Sequence, residues 1–170
     1  MKRCFKIRWS EIRYKLEKEY LAESLRGHIR YFATSYNKYP DNEGRASILL
    51  DGKEIIEGSY YGHWKNYHLL PEDENFELRI RRLGEFPIMD DVSLQFGQFD
   101  QRCFYKAFYE FDNQSIEKSL FSENAIVRVF AVLDRRIGKR RLRAMKDTVH
   151  NEGEVFRTFF KIRATAEGII

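Results

Sequence analysis

A chain of 170 residues with 43% hydrophobic and 33% charged side chains is long enough to bury its own core and too apolar to stay disordered. Three Pro and ten Gly exclude collagen-like and low-complexity character, and no stretch approaches the run of about 18 apolar residues that a spanning helix needs. Thirty cations against 26 anions give a net charge of +4, so the placement of charge says more than its sum.

Met1 to Arg8 is basic with no apolar run behind it, so no secretory leader is expected. Ser10 followed by Glu11 predicts a helix start with Ser10 as the cap. Ile12, Leu16 and Tyr20 recur at helical spacing and would face the core, and Leu25-Arg26-Gly27 would end the helix. His28 to Tyr36 then reads as a strand and residues 37–44 as a loop. Arg45 to Leu50 and Lys53 to Tyr61 form a hairpin about Asp51 and Gly52, since Asp-Gly suits a type I′ turn with positive φ at both central positions.

Residues 62–87 are ambiguous, with Phe76 to Leu83 reading as a fourth strand or a short helix. Beyond Pro87, Val92, Phe96, Phe99, Phe104, Phe108 and Phe111 predict two short helices parted near Gly97. Ser115 and Ser122 read as N-caps, and Ile126, Val129, Phe130 and Leu133 as one buried face. Gly138 breaks that helix, Arg141 to Lys146 starts another, and Val155, Phe156, Phe159, Ile162 and Ala166 stripe a last helix ending at Gly168. The expected fold is α+β: an N-terminal helix with a three- or four-stranded antiparallel sheet (1–87), then a C-terminal bundle of short helices (88–170), in one domain spanning 1–170.

The sharpest local feature is the run Arg135, Arg136, Lys139, Arg140, Arg141, Arg143 and Lys146, seven cations in twelve residues without an acid among them. Such density can neutralise phosphates or an acidic protein surface. The commoner fate of such a run is a solvated or internally paired face, and helical geometry would spread these side chains over several faces. Tyr60, Tyr61 and Trp64 cluster just after the hairpin. Exposed, they would anchor a protein partner or stack on bases; packed, they would cover the open face of a small sheet.

Other chemistry is thinly marked. His63 and His68 are five residues apart and fit no His-Glu-x-x-His site, and Cys4 and Cys103 form no Cys-x-x-Cys pair. Cys103, beside Phe104 and Tyr105, is expected to be a packed, inert thiol. Two distant cysteines suit free thiols in a reducing compartment, so a cytoplasmic location is expected. There is no Gly-rich phosphate loop and no nucleophile elbow, so no cofactor or metal is expected.

Ser122 to Arg128, followed by Ala131 to Leu142 with its Leu133-Asp134-Arg135-Arg136 and Gly138-Lys139-Arg140-Arg141, resembles a block in a family of small bacterial proteins of unassigned function. Phe159 to Gly168 is similar to that family's C-terminal signature. At the front, Trp9-Ser10, Leu25-Arg26-Gly27, Glu43-Gly44-Arg45 and Asp51 to Ile55 also match, and the likeness fades across residues 62–112. The resemblance implies a bacterial, cytoplasmic, single-domain protein. It carries no activity and no functional residues over. It also implies a fixed turn between helices in which Asp134 pairs with an arginine.

Three functional expectations follow. The first is a non-enzymatic, protein-binding protein of adaptor or toxin-neutralising type, with a protein partner and no membrane. The alternative is a nucleic-acid-binding module using residues 135–146 together with Lys2, Arg3, Lys6 and Arg8. The third is an enzyme assembled from scattered residues around His63, His68 and the acidic stretch at 71–75.

Overall fold

The computed structural model describes residues 7–34, 44–59, 89–97 and 99–170. Helix α1 (Trp9–Tyr14) is opened by Glu11, whose carboxylate accepts the Arg8 amide hydrogen at 2.9 Å. The cap is therefore Arg8, not Ser10. An acid at the third helical position satisfies the amide of the residue before the helix, and Ser10 lies inside the helix with its side chain in solvent.

The helix does not run on to Leu25. It widens into a π-helix over Lys15–Tyr20, closed by the Leu21 amide on the Leu16 carbonyl at 3.1 Å, and gives way to a 3₁₀ turn at Glu23–Leu25. The cause lies across the molecule. The Tyr20 carbonyl accepts the Arg135 amide at 2.7 Å and the Ala22 amide donates to the Leu133 carbonyl at 3.0 Å. Backbone groups that would continue the helix are thus taken by the turn near residue 134.

Strands β1 (Ile29–Ala33), β2 (Arg45–Leu50) and β3 (Lys53–Ser59) form an antiparallel sheet in the order β1-β2-β3. The hairpin turns as its sequence demands, with Asp51 at φ +50° and Gly52 at φ +81°. Ile48 faces Ile56 but Leu49 faces Glu54, so Ile55 is the extra residue of a bulge. On β1, Ile29, Tyr31 and Ala33 point into the core while Arg30 and Phe32 face out. Tyr36, Tyr60, Tyr61 and the possible fourth strand at 76–83 lie outside the described residues.

The helical half comprises α2 (Asp91–Gln95), α3 (Gln101–Asp112), α4 (Ile116–Leu120), α5 (Ala125–Leu133), α6 (Lys139–Lys146) and α7 (Glu154–Ala166). Asp90, Asp100 and Ser115 cap α2, α3 and α4 by accepting the amides of Ser93, Cys103 and Lys118. The cap of α5 is Asn124 rather than Ser122. Asn124 accepts the Ile126 amide at 3.0 Å, while the Ser122 hydroxyl, held by Glu110, accepts the amide of Asn124 itself. Helix α6 begins at Lys139, directly behind Gly138 and two residues ahead of the expected start.

Helix α5 is the centre of the helical half, with Ile126, Val127, Val129, Phe130, Ala131, Val132 and Leu133 all buried. Phe130 meets Phe104 edge-on at 5.1 Å and Tyr31 of the sheet at 5.7 Å, geometries that favour ring pairs beyond simple burial. Buried residues of both halves join in one hydrophobic cluster. The seam is tight: a β-carbon on Gly58 of β3 would stand 2.5 Å from the Phe99 carbonyl oxygen, so only glycine lets the chain before α3 press on the strand. On α7, Phe160, Arg163 and Ala164 join Val155, Phe156 and Phe159 in the core, whereas Ala166 is exposed.

Candidate interaction surface

The basic run splits into a structural part and an outward part. Asp134, which ends α5, is completely buried (0% exposed) and accepts four contacts from Arg136: its amide at 2.7 Å, and Nε and Nη2 at 2.7 to 3.0 Å. The Arg136 guanidinium stands 5.0 Å over the Tyr20 ring and 5.4 Å over that of Phe111. Its hydrogen bonds to Asp134 push its pKa further up, and burial opposes this. Tyr20 in turn donates to Asp112, which also binds Lys15. Burial and that carboxylate raise the Tyr20 pKa.

Beneath this turn lies Arg163, 3% exposed, on α7. Nη1 donates to the carbonyls of Leu133 (3.0 Å) and Asp134 (3.1 Å), and Nη2 to that of Ile137 (3.0 Å). These carbonyls lie at the end of α5 and in the turn after it, where the helix dipole favours a cation; that of Leu133 also accepts the Ala22 amide and that of Asp134 the Ile137 amide. Glu167 balances the charge, 3.1 Å from Arg163 Nε and 3.6 Å from Lys139 Nζ, and it accepts the Ser24 hydroxyl at 2.7 Å. Burial pushes the Glu167 pKa up, but Ser24, Arg163 and Lys139 together hold it below the usual carboxylate range. Burial lowers the Arg163 pKa against the pull of Glu167 and Asp134.

The outward part belongs to α6. Arg141 forms a two-pronged pair with Glu117 of α4, and Lys146 lies 3.5 Å from the Ile169 carbonyl. Arg135, Arg140 and Arg143 are exposed and have no ion-pair partner among the described residues.

Beside α6 opens a cleft of about 90 Å³ between α4, α5, α6 and α7. Leu120, Met145, Val149 and Phe156 supply its apolar lining, and Arg128, Arg141 and Glu152 its polar edge. Arg128 is fixed three ways: on Glu152 at 2.7 Å, on the Leu120 carbonyl at 2.8 Å, and 4.4 Å over the Phe156 ring. Phe121 stands at the cleft with 76% of its surface in solvent, the most exposed large hydrophobic side chain among the described residues. Sequence reasoning passed over Phe121 and Arg128. The available signal was an aromatic residue directly behind a helix with its own serine cap, where the chain leaves the packed face.

The remaining histidines, acids and cysteine of the described residues gather at no single point that could hold a metal. Tyr60, Tyr61, Trp64, His63 and His68 lie outside the described residues. His28 sits 2.6 Å from Asp51 at the exposed hairpin, and Asp91 accepts the Val155 amide at 3.0 Å, joining α2 to α7. Cys103 is buried with a free thiol whose pKa burial raises. Among the described residues no group of three or more His, Cys, Asp or Glu is placed to hold a metal ion, and no helix is long and apolar enough to cross a membrane.

The model of the SF0329 protein family matches residues 8–164. The chain belongs to that family. The function of the SF0329 family is unknown, and its matched span contains the Asp134 turn, all of α6 and every residue lining the cleft. No curated protein and no solved structure matches the chain.

Proposed function

We propose that this protein is a non-enzymatic binder of another protein, of adaptor or toxin-neutralising type, working in the bacterial cytoplasm. The observation that carries the reading is Phe121, exposed in water beside an apolar cleft that is framed by two ion pairs. Burying such a ring against a partner contributes about 2–3 kcal/mol, the scale of an interface hot spot, and paired charges around it suit a polar rim. The bacterial and cytoplasmic parts rest on the family resemblance in the sequence and on the free thiol of Cys103.

The test is affinity capture from native bacterial lysate with the wild-type chain and Phe121→Ala, each with nuclease and at high salt. A protein retained by the wild type and lost with Phe121→Ala supports the reading. Identical captures from the two chains sink it.

One observation favours a nucleic-acid-binding reading instead: Arg135, Arg140 and Arg143 are exposed without acid partners among the described residues. Three such cations on duplex DNA would give a slope of about −2.7 in log affinity against log salt. A flat salt response would dispose of it.

A further inference from the structure

We infer that the surface formed by the cleft, Phe121 and the outer face of α6 takes an acidic protein segment anchored by one aliphatic side chain. This rests on the protein-binding reading and adds the chemistry of the partner. The size of the cleft fixes the anchor. At about 90 Å³ it is smaller than the cavity of about 150 Å³ known to admit benzene, so it fits a branched or straight aliphatic side chain better than a ring. Leu120, Met145, Val149 and Phe156 give that side chain an apolar seat. Glu117 and Glu152 are each engaged by an arginine, so neither is free to hold a cation there.

Charge fixes the flanks of the segment. Helix α6 contributes five cations and no acid, and Asp147 closes it. Arg141 turns to the cleft, Lys139 and Lys146 reach the C-terminal residues, and Arg140 and Arg143 remain in solvent without partners among the described residues. Arg140 and Arg143 are three residues apart, a spacing that brings side chains on a helix within about 5–6 Å. Carboxylates three or four residues apart on a partner helix repeat that distance. Ala144, exposed one turn after Arg140, presents only a methyl group and lets a partner backbone come close. Nucleic acid would supply phosphates for the arginines but no aliphatic side chain for the cleft, which is why a protein segment is favoured.

The experiment is selection of displayed random peptides on the intact chain, with counter-selection on Phe121→Ser, followed by binding measurements on synthetic copies of the recovered peptides. The expected peptides carry one Leu, Ile or Met flanked by Asp or Glu. Their affinity should fall at least about tenfold with Phe121→Ser and by a similar factor with Arg140→Glu plus Arg143→Glu, and should largely return with Lys at both positions. Unfolding midpoints equal to the wild type identify these as effects on binding. Recovered peptides that need Phe121 but are neutral or basic would overturn the inference and leave the protein-binding reading standing. No enrichment over the Phe121→Ser counter-selection would overturn both. Binding of a short duplex DNA that depends on Arg140 and Arg143 but ignores Phe121→Ser would overturn the inference in favour of nucleic acid.

Discussion

Arg163 and Arg143 carry the same group at opposite extremes of environment. Arg163 is sealed under the end of α5 with three backbone carbonyls and Glu167 around it, whereas Arg143 projects from α6 with no ion-pair partner among the described residues. A buried guanidinium is tolerated only where polar groups offset its lost hydration, as the three carbonyls and the Glu167 carboxylate do here. An exposed one adds little to the fold and remains available to a partner. The basic side chains of this half therefore divide by depth: Arg163 holds the turn at 134–138, and Arg135, Arg140 and Arg143 face outward.

The largest effect is expected at the deep end. Arg163→Met takes from the Ile137 carbonyl its side-chain donor and from Glu167 its buried cation, and should destabilise the fold by about 3–5 kcal/mol in urea unfolding. A loss under about 1 kcal/mol would mean that Arg163 supports the fold no more than an exposed arginine does. Asp134→Ala should cost somewhat less, about 2–3 kcal/mol, because the released Arg136 is partly exposed and can be rehydrated.

Next in size is a pH effect. Glu167 has a depressed pKa, so the stability it adds is present above its unfolded pKa of about 4.3 and is lost as pH falls through the lower folded value. Glu167→Gln should lower the unfolding free energy by about 1 kcal/mol at neutral pH, and the gap should close as pH falls below about 4. A gap that stays constant across that range would remove Glu167 as its source. The smallest stability effects belong to the outward part: Phe121→Ser and Arg143→Glu should each stay within about 0.5 kcal/mol of the wild type. A larger loss from either would mean that the side chain supports the fold.

The hairpin was legible because Asp51 and Gly52 encode their own geometry, and α5 because its apolar residues repeat at 3.6. Caps were less so. Ser10 and Ser122 look like caps, yet Glu11 and Asn124 make the bonds that count, and choosing between adjacent polar residues requires knowing which amide is left free. The π-helix at Lys15–Tyr20 left no local trace because its cause is a contact with residues more than a hundred positions away. The pairing of Asp134 with an arginine, implied by the resemblance, is seen with Arg136. Arg163 was overlooked although it stands seven residues after Phe156, on the same stripe as Phe159 and Phe160. A cation on an apolar stripe is itself a sign of buried carbonyls nearby. The cleft could not be read at all, since its walls come from four helices and a volume has no sequence pattern.

Cys103 offers a consequence of another kind. It lies in the first turn of α3, four residues after Phe99 at the seam with Gly58, and burial keeps its sulfur protonated and out of reach. A thiol reagent can attack it only during moments when that turn lifts from the core. Its labelling rate is therefore a stopwatch on brief separations of helices from sheet, recording excursions too rare for an equilibrium melt to register.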